Sequence, residues 1–160
     1  MLGITILAVG KIKEKFYRDA IDEYSKRLTR YCKFSIYEVK DEPMSERPEK
    51  SEIDAVLKKE GERLKEKIPK NAYLVSLCIE GRKTDSVGFS EIIESAANCG
   101  KSEIVFVIGG SLGICDEIKN LSDLKLSFSD MTFPHQLMRV ILSEQLYRAF
   151  NILSGGKYHK

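Results

Sequence analysis

Long apolar runs, metal-ligand spacings, phosphate-loop signatures and histidine are scarce or absent in this 160-residue chain, and each lack excludes a class of protein. No apolar stretch approaches the roughly 18–20 residues needed to span a bilayer, so no membrane helix is expected and a cytoplasmic protein is. The N-terminal MLGITILAVGKIKEK puts its apolar run first and its lysines after, the reverse of a secretory signal, and residues 3–9 read instead as a strand. Cys32, Cys78, Cys99 and Cys115 follow no zinc spacing, and reduced structural thiols are expected. With only His135 and His159 beside them, no metal site is expected. There is no internal repeat and no low-complexity segment. The glycine-rich GGSLG at 109–113 is not the GxGxxG dinucleotide fingerprint, and without a following Lys-Ser/Thr pair it is not a P-loop.

What is present is core material. The chain is 42% hydrophobic and 31% charged, which predicts one globular domain over residues 1–160. Its net charge is only +2 but unevenly spread. Residues 1–40 hold nine Lys/Arg against five Asp/Glu, and residues 131–160 hold four cations against Glu144 alone, so both ends are basic and the middle is acidic. If the ends meet in space they could form an anion-attracting face; ordinary solvated charge is the competing reading.

Apolar runs at 3–9 and 103–110 predict buried strands, and 33–39, 73–79 and 124–129 predict three more, the one at 73–79 ending at Gly81. Helical spacing appears over 15–31, through Phe16, Ile21, Tyr24 and Leu28. It recurs over 49–67, around Phe89–Ala97 and briefly near Cys115–Asn120. DEPMSERP at 41–48 predicts a loop, and Pro134 opens a long helix to about Leu153. Strands alternating with helices predict an α/β sandwich, helices on both faces of a mainly parallel sheet. Ligands in such sheets sit beyond the carboxyl ends of the strands, which here means Leu77–Gly81, Gly109–Gly113 and Phe128–Phe133.

Four features carry chemistry or assembly. GGSLG lets a ligand approach the backbone closely, or is simply a turn. SDMTFPHQLMR (129–139) offers an apolar rim with free amides, suited to a flat ring such as adenine; alternatively Met131 and Phe133 fill the core and His135 serves a helix start. The helix 134–153 is apolar around most of its circumference, which predicts either a subunit interface, most simply a two-fold dimer, or a central position in the core. The tail GGKYHK joins a flexible glycine pair to an aromatic, an imidazole and two lysines, whereas most chain ends do nothing.

VIGGSLG, LSFSDMTFPHQLMRVILSEQLYRAF and the terminal YHK, with ITILAVGKIKEK at the start, together resemble the bacterial large-subunit ribosomal RNA pseudouridine N3-methyltransferases, minimal SPOUT-type enzymes. The resemblance spans essentially the whole chain. It implies a C-terminal deep trefoil knot within the three-layer sandwich, the cofactor-binding part covering about 73–160. It also implies S-adenosylmethionine bound by Leu77, Gly109, Phe128, Ser129, Asp130, Met131, Thr132 and Phe133. Finally, it implies a homodimer whose sites are each completed by the partner, and a substrate in the 23S rRNA of assembled ribosomes.

N3 of pseudouridine carries a proton and is a poor nucleophile until that proton leaves, so a base is needed. His159 is the first candidate, because imidazole exchanges protons near neutral pH. Tyr158 is expected to stack beneath the target, and Arg139 to stabilise negative charge developing on it. His135, Arg148, Lys157 and Lys160 are candidate RNA contacts, His135 having a structural alternative. Two other classes compete: a non-catalytic ribosome-binding factor that keeps the fold, and a flavodoxin-like nucleotide-binding domain.

Overall fold

The computed structural model describes residues 1–160. Five strands and five helices alternate: β1 (Gly3–Val9), α1 (Lys15–Leu28), β2 (Lys33–Val39), α2 (Lys50–Lys67), β3 (Ala72–Lys83), α3 (Ser86–Asn98), β4 (Glu103–Ile108), α4 (Asp116–Leu121), β5 (Leu124–Ser127) and α5 (His135–Leu153). The strands form one sheet in the order β2-β1-β4-β3-β5, and every pairing in it is parallel.

The strand sequences explain the layers. Successive side chains of a strand point to opposite faces. Ile4, Ile6 and Ala8 of β1, with Ile104, Phe106 and Ile108 of β4, face one core cluster, closed by Phe89 and Ile93 of α3 and by Leu142 and Leu146 of α5. Leu7 and Val9, with Val105 and Val107, face the other, closed by Leu64 of α2 and Ile118 of α4. Strands apolar on both faces become central strands, as β1 and β4 do. Helix α5 packs between α1 and α3 over one face, so much of its apolar circumference is used within the chain itself.

Two boundaries differ from the sequence reading. β3 does not stop at Gly81 but runs to Lys83. Leu77 and Arg82 both pair with Leu126, so residues 78–81 have no partner on β5 and bow outward. Gly81 belongs there because a Cβ would lie 2.6 Å from the Leu126 backbone, which makes it a close-approach glycine and not a terminator. β5 ends at Ser127, and Phe128 and Ser129 belong to the following loop. β5 is held beside β3 by Asp123, whose carboxylate accepts the Leu74 N–H at 2.8 Å while its own N–H donates to the Leu74 carbonyl at 2.8 Å.

Candidate active site

The loops leaving β3, β4 and β5 converge on one cavity of about 410 Å³, within the size range of small-molecule sites. Its first wall is the bowed stretch of β3 from Leu77 to Glu80. The second is the turn after β4, residues 109–114. Here the Gly113 N–H donates to the Gly110 carbonyl at 3.0 Å, and Gly113 sits at φ +82°, a conformation side chains disfavour. A Cβ on Gly109 would lie 2.3 Å from the Gly113 carbonyl carbon, so the turn closes only on glycine. The third wall is the loop after β5, in which Ser129 Oγ accepts the Met131 N–H at 3.0 Å. His135 and Met138 of α5 complete the lining.

The interior is apolar through Leu77, Ile108, Leu126, Phe128, Phe133 and Met138, with glycine backbone between. That composition suits a flat heterocycle gripped by main-chain groups. Charge is confined to Lys119 of α4 and Glu80, which form an ion pair. The hydrogen bond from Lys119 pulls the Glu80 carboxyl below its ordinary pKa. Neither was singled out in the sequence, where Glu80 falls within a strand end and Lys119 within a short helix with no motif around it. Burial, and then the nearby Arg139 charge, lower the His135 pKa, so this imidazole is neutral at pH 7.

Seven of the eight residues expected around the cofactor line this cavity: Leu77, Gly109, Phe128, Ser129, Met131, Thr132 and Phe133. Asp130 is not among the lining residues; its side chain points out and pairs with Lys83 at 2.5 Å.

Arg139, expected at the target base, lies in the core. It is 0% exposed, and its guanidinium donates to the Val9 and Gly10 carbonyls at 3.0 and 2.8 Å and to Glu38 at 2.7 Å. Burial lowers its pKa and the Glu38 pair opposes that. With three bonds made inside its own chain and no exposed surface, Arg139 fixes the end of β1 and presents no donor to solvent. A lone arginine in an apolar helix looks the same in sequence whether it faces a ligand or the core.

The tail lies elsewhere. The Tyr158 N–H donates to the Asn151 side chain at 2.9 Å, and Tyr158 Oη to Glu144 at 3.1 Å. Burial and then the Glu144 bond push the Tyr158 phenol up to about 12. Arg148 pairs with Glu144, lies over the Tyr158 ring and meets His159 Nδ1 at 3.2 Å. Lys157 and Lys160 are exposed. Arg148 is thirteen residues beyond His135 along α5, or about 20 Å at 1.5 Å per residue. Glu144, the tail's first contact on α5, is six residues or about 9 Å beyond the cavity residue Met138, so the tail lies along α5 outside the cavity, with Arg148 held between Glu144 and His159.

Comparison with known proteins adds to this geometry. The profile of the family described as "Predicted SPOUT methyltransferase" matches residues 2–159. The ribosomal RNA large subunit methyltransferase H of Clostridium kluyveri is 50% identical over 99% of this chain and 100% of its own length. Its counterpart in Clostridium botulinum is 49% identical with the same coverage. A solved structure from Haemophilus influenzae, a probable methylase family protein, superposes with a TM-score of 0.54 at 14% identity, covering 100% of this chain and 72% of that one. At that identity the likeness concerns the fold alone.

Proposed function

The chain belongs to the SPOUT methyltransferase family, and from that premise we propose that it methylates N3 of a pseudouridine in the 23S rRNA of assembled ribosomes, using S-adenosylmethionine. Full-length relatives at about half identity, named as methyltransferases of large-subunit ribosomal RNA, support the activity and the substrate class. The observation that carries the cofactor reading is the single cavity where the three loops meet, apolar inside and walled by a turn that tolerates only glycine at 109. Leu77, Leu126, Phe128, Phe133 and Met138 fit an adenine ring, and backbone groups at Gly109 and 128–133 fit its polar edge. When bound, the cofactor supplies an electrophilic methyl group on sulfur.

The rest is work for the chain's own residues. His159 takes the N3 proton and Tyr158, a phenol that stays protonated, stacks beneath the base. Lys157 and Lys160 hold phosphates. Neutral His135 serves the cavity wall and not a phosphate. Because His159 docks on Arg148, ten residues or about 15 Å along α5 from the cavity residue Met138, His159 serves the cavity of a second copy, and the working unit is a homodimer with composite sites.

We extend the reading to a trefoil knot within a single domain. The reading is supported by β5 lying at the sheet edge while α5 packs over its middle, which takes residues 128–134 past the carboxyl ends of β3 and β4. No helix here is long and apolar enough to cross a membrane.

The test is transfer of labelled methyl from S-adenosylmethionine to ribosomes from a strain lacking the modification. Label at a pseudouridine of the large-subunit RNA is the expected result. Ribosomes that bind the protein but take up no label would leave a binding factor in its place. Affinity for FMN or ATP without S-adenosylhomocysteine binding would favour the flavodoxin-like class.

A further inference from the structure

Beside the cavity mouth lies a surface that neither the mechanism nor the core uses. Phe16, in the first turn of α1, is 63% exposed. A single exposed aromatic is ordinary, but this one is not alone. The loop before it, Gly10 to Glu14, leaves the carboxyl end of β1, on the edge of the sheet where the cavity opens. Lys11 and Lys13 in that loop are exposed, and neither meets a carboxylate. The loop backbone, by contrast, is pinned. Its Ile12 N–H donates to Glu38 Oε2 at 3.0 Å, the oxygen that Arg139 also holds. The Ile12 carbonyl accepts from Arg18 at 3.1 Å, and the Lys13 N–H donates to Gln136 at 3.1 Å, next in sequence to the cavity residue His135. Main chain fixed at three points while two cations and an aromatic ring stay in solvent is a preorganised surface.

We propose that Phe16, Lys11 and Lys13 form the lip that receives the RNA strand leading to the target nucleotide, the ring stacking on an unpaired base and the lysines neutralising its phosphates. An aromatic ring flanked by cations is the usual chemistry of single-strand recognition, because every base has a face to stack and every linkage a charge. Acidic groups around the lip do not cancel it. Glu38 is neutralised by Arg139, Glu42 by Lys59 and Arg63, and Asp19 by Lys15, leaving Glu14 and Asp41 against Lys11, Lys13, Lys40 and the guanidinium of Arg18. The chain of bonds from Arg139 through Glu38 to the Ile12 N–H makes Arg139 a positioning residue for this lip.

The proposal rests on the RNA reading above, and its test separates the two. Ribosome sedimentation, methyl-transfer kinetics and S-adenosylhomocysteine calorimetry are run on wild type, Phe16→Ala, Phe16→Trp and the pair Lys11→Glu with Lys13→Glu. Phe16→Ala is expected to raise the KM for ribosomes about tenfold, with cofactor affinity unchanged, while Phe16→Trp restores it. The lysine pair is expected to weaken binding and to flatten the log–log salt dependence by at least about 1.4, two single-strand phosphate contacts. Wild-type KM and salt slope in these variants would overturn the lip while leaving the enzyme reading intact. Should wild type transfer no methyl at all, the enzyme reading fails and a photo-crosslinking phenylalanine analogue at position 16 decides the lip. A crosslink to ribosomal RNA supports it; a crosslink to a ribosomal protein or a second copy, or none, overturns it.

Discussion

Arg139 illustrates how much one side chain can hold in place. It closes three hydrogen bonds to groups at the ends of β1 and β2, with only its Nε left without a partner. Glu38 reaches solvent and is not stranded, so the cost of Arg139→Ala falls on the two backbone carbonyls left unpaired, about 2–4 kcal/mol read by urea unfolding. Arg139→Lys should recover little, because a point charge cannot span two carbonyls and a carboxylate. Gly109 is the opposite case, a residue defined by having no side chain. Gly109→Ala puts a carbon 2.3 Å from backbone that has nowhere to move without opening the turn, so S-adenosylhomocysteine binding measured by calorimetry should be lost while the helical circular dichroism persists. Glu60 is a buried carboxyl behind the same turn, accepting the Glu42 N–H at 3.0 Å and lying 3.4 Å from where a Gly110 Cβ would be. Burial, ahead of all other causes, pushes its pKa up. The folded state therefore keeps this proton longer than the unfolded state does. Its contribution to stability is full below the ordinary carboxyl range and is lost as pH rises through the elevated value. Glu60→Gln, which keeps an acceptor for Glu42, should flatten that decline, and equal pH slopes for variant and wild type in denaturant titrations would refute it.

At the scale of elements, strand identity was legible and strand length was not. The runs GITILAV and EIVFVI are apolar on both faces and became the central strands, because only a buried position rewards both faces. Gly81 misled for a physical reason: glycine marks a turn and also marks close backbone approach, and only the neighbouring Leu126 tells which. The three cavity loops could be chosen from sequence because strands and helices alternate and ligands gather at carboxyl ends. The inward aim of Lys119 could not, since it depends on α4 folding back over β3. Helix α5 was read as too apolar for a surface helix, and its packing between α1 and α3 accounts for much of that excess without a second chain. Its half-buried outer positions, such as Val140 and Glu144, remain for other contacts, and Glu144 takes the tail. Glu144→Ala removes the acceptor shared by Tyr158 and Arg148. Amide exchange at residues 155–160 should then accelerate, with global stability changed by no more than about 1 kcal/mol, since partly exposed ion pairs contribute little. Unaltered exchange in the tail would show that Asn151 alone anchors it.

Across the whole molecule, the cavity sits at the start of α5 and the tail on its second half, and this separation underlies the proposal that sites are shared between copies. If His159 is the base, a chain that holds it about 15 Å from its own cavity serves that cavity only by releasing the tail or serves another chain's without releasing it. The contacts of Tyr158 and His159 favour the second, because leaving α5 would break bonds to Asn151, Glu144 and Arg148 together. The two routes give different arithmetic. Mix a His159→Ala chain, whose cavity is intact, with a Gly109→Ala chain, whose tail is intact, and allow subunits to exchange. If tails act in trans, half the dimers are mixed and each mixed dimer has one site with both parts sound, so activity returns to about a quarter of the wild-type level. If tails act on their own cavities, no combination is sound and the mixture stays as inactive as its components. Recovery that tracks the rate of subunit exchange would tie the composite site to the dimer itself; a flat baseline after full exchange would return His159 to its own chain and require the tail to swing.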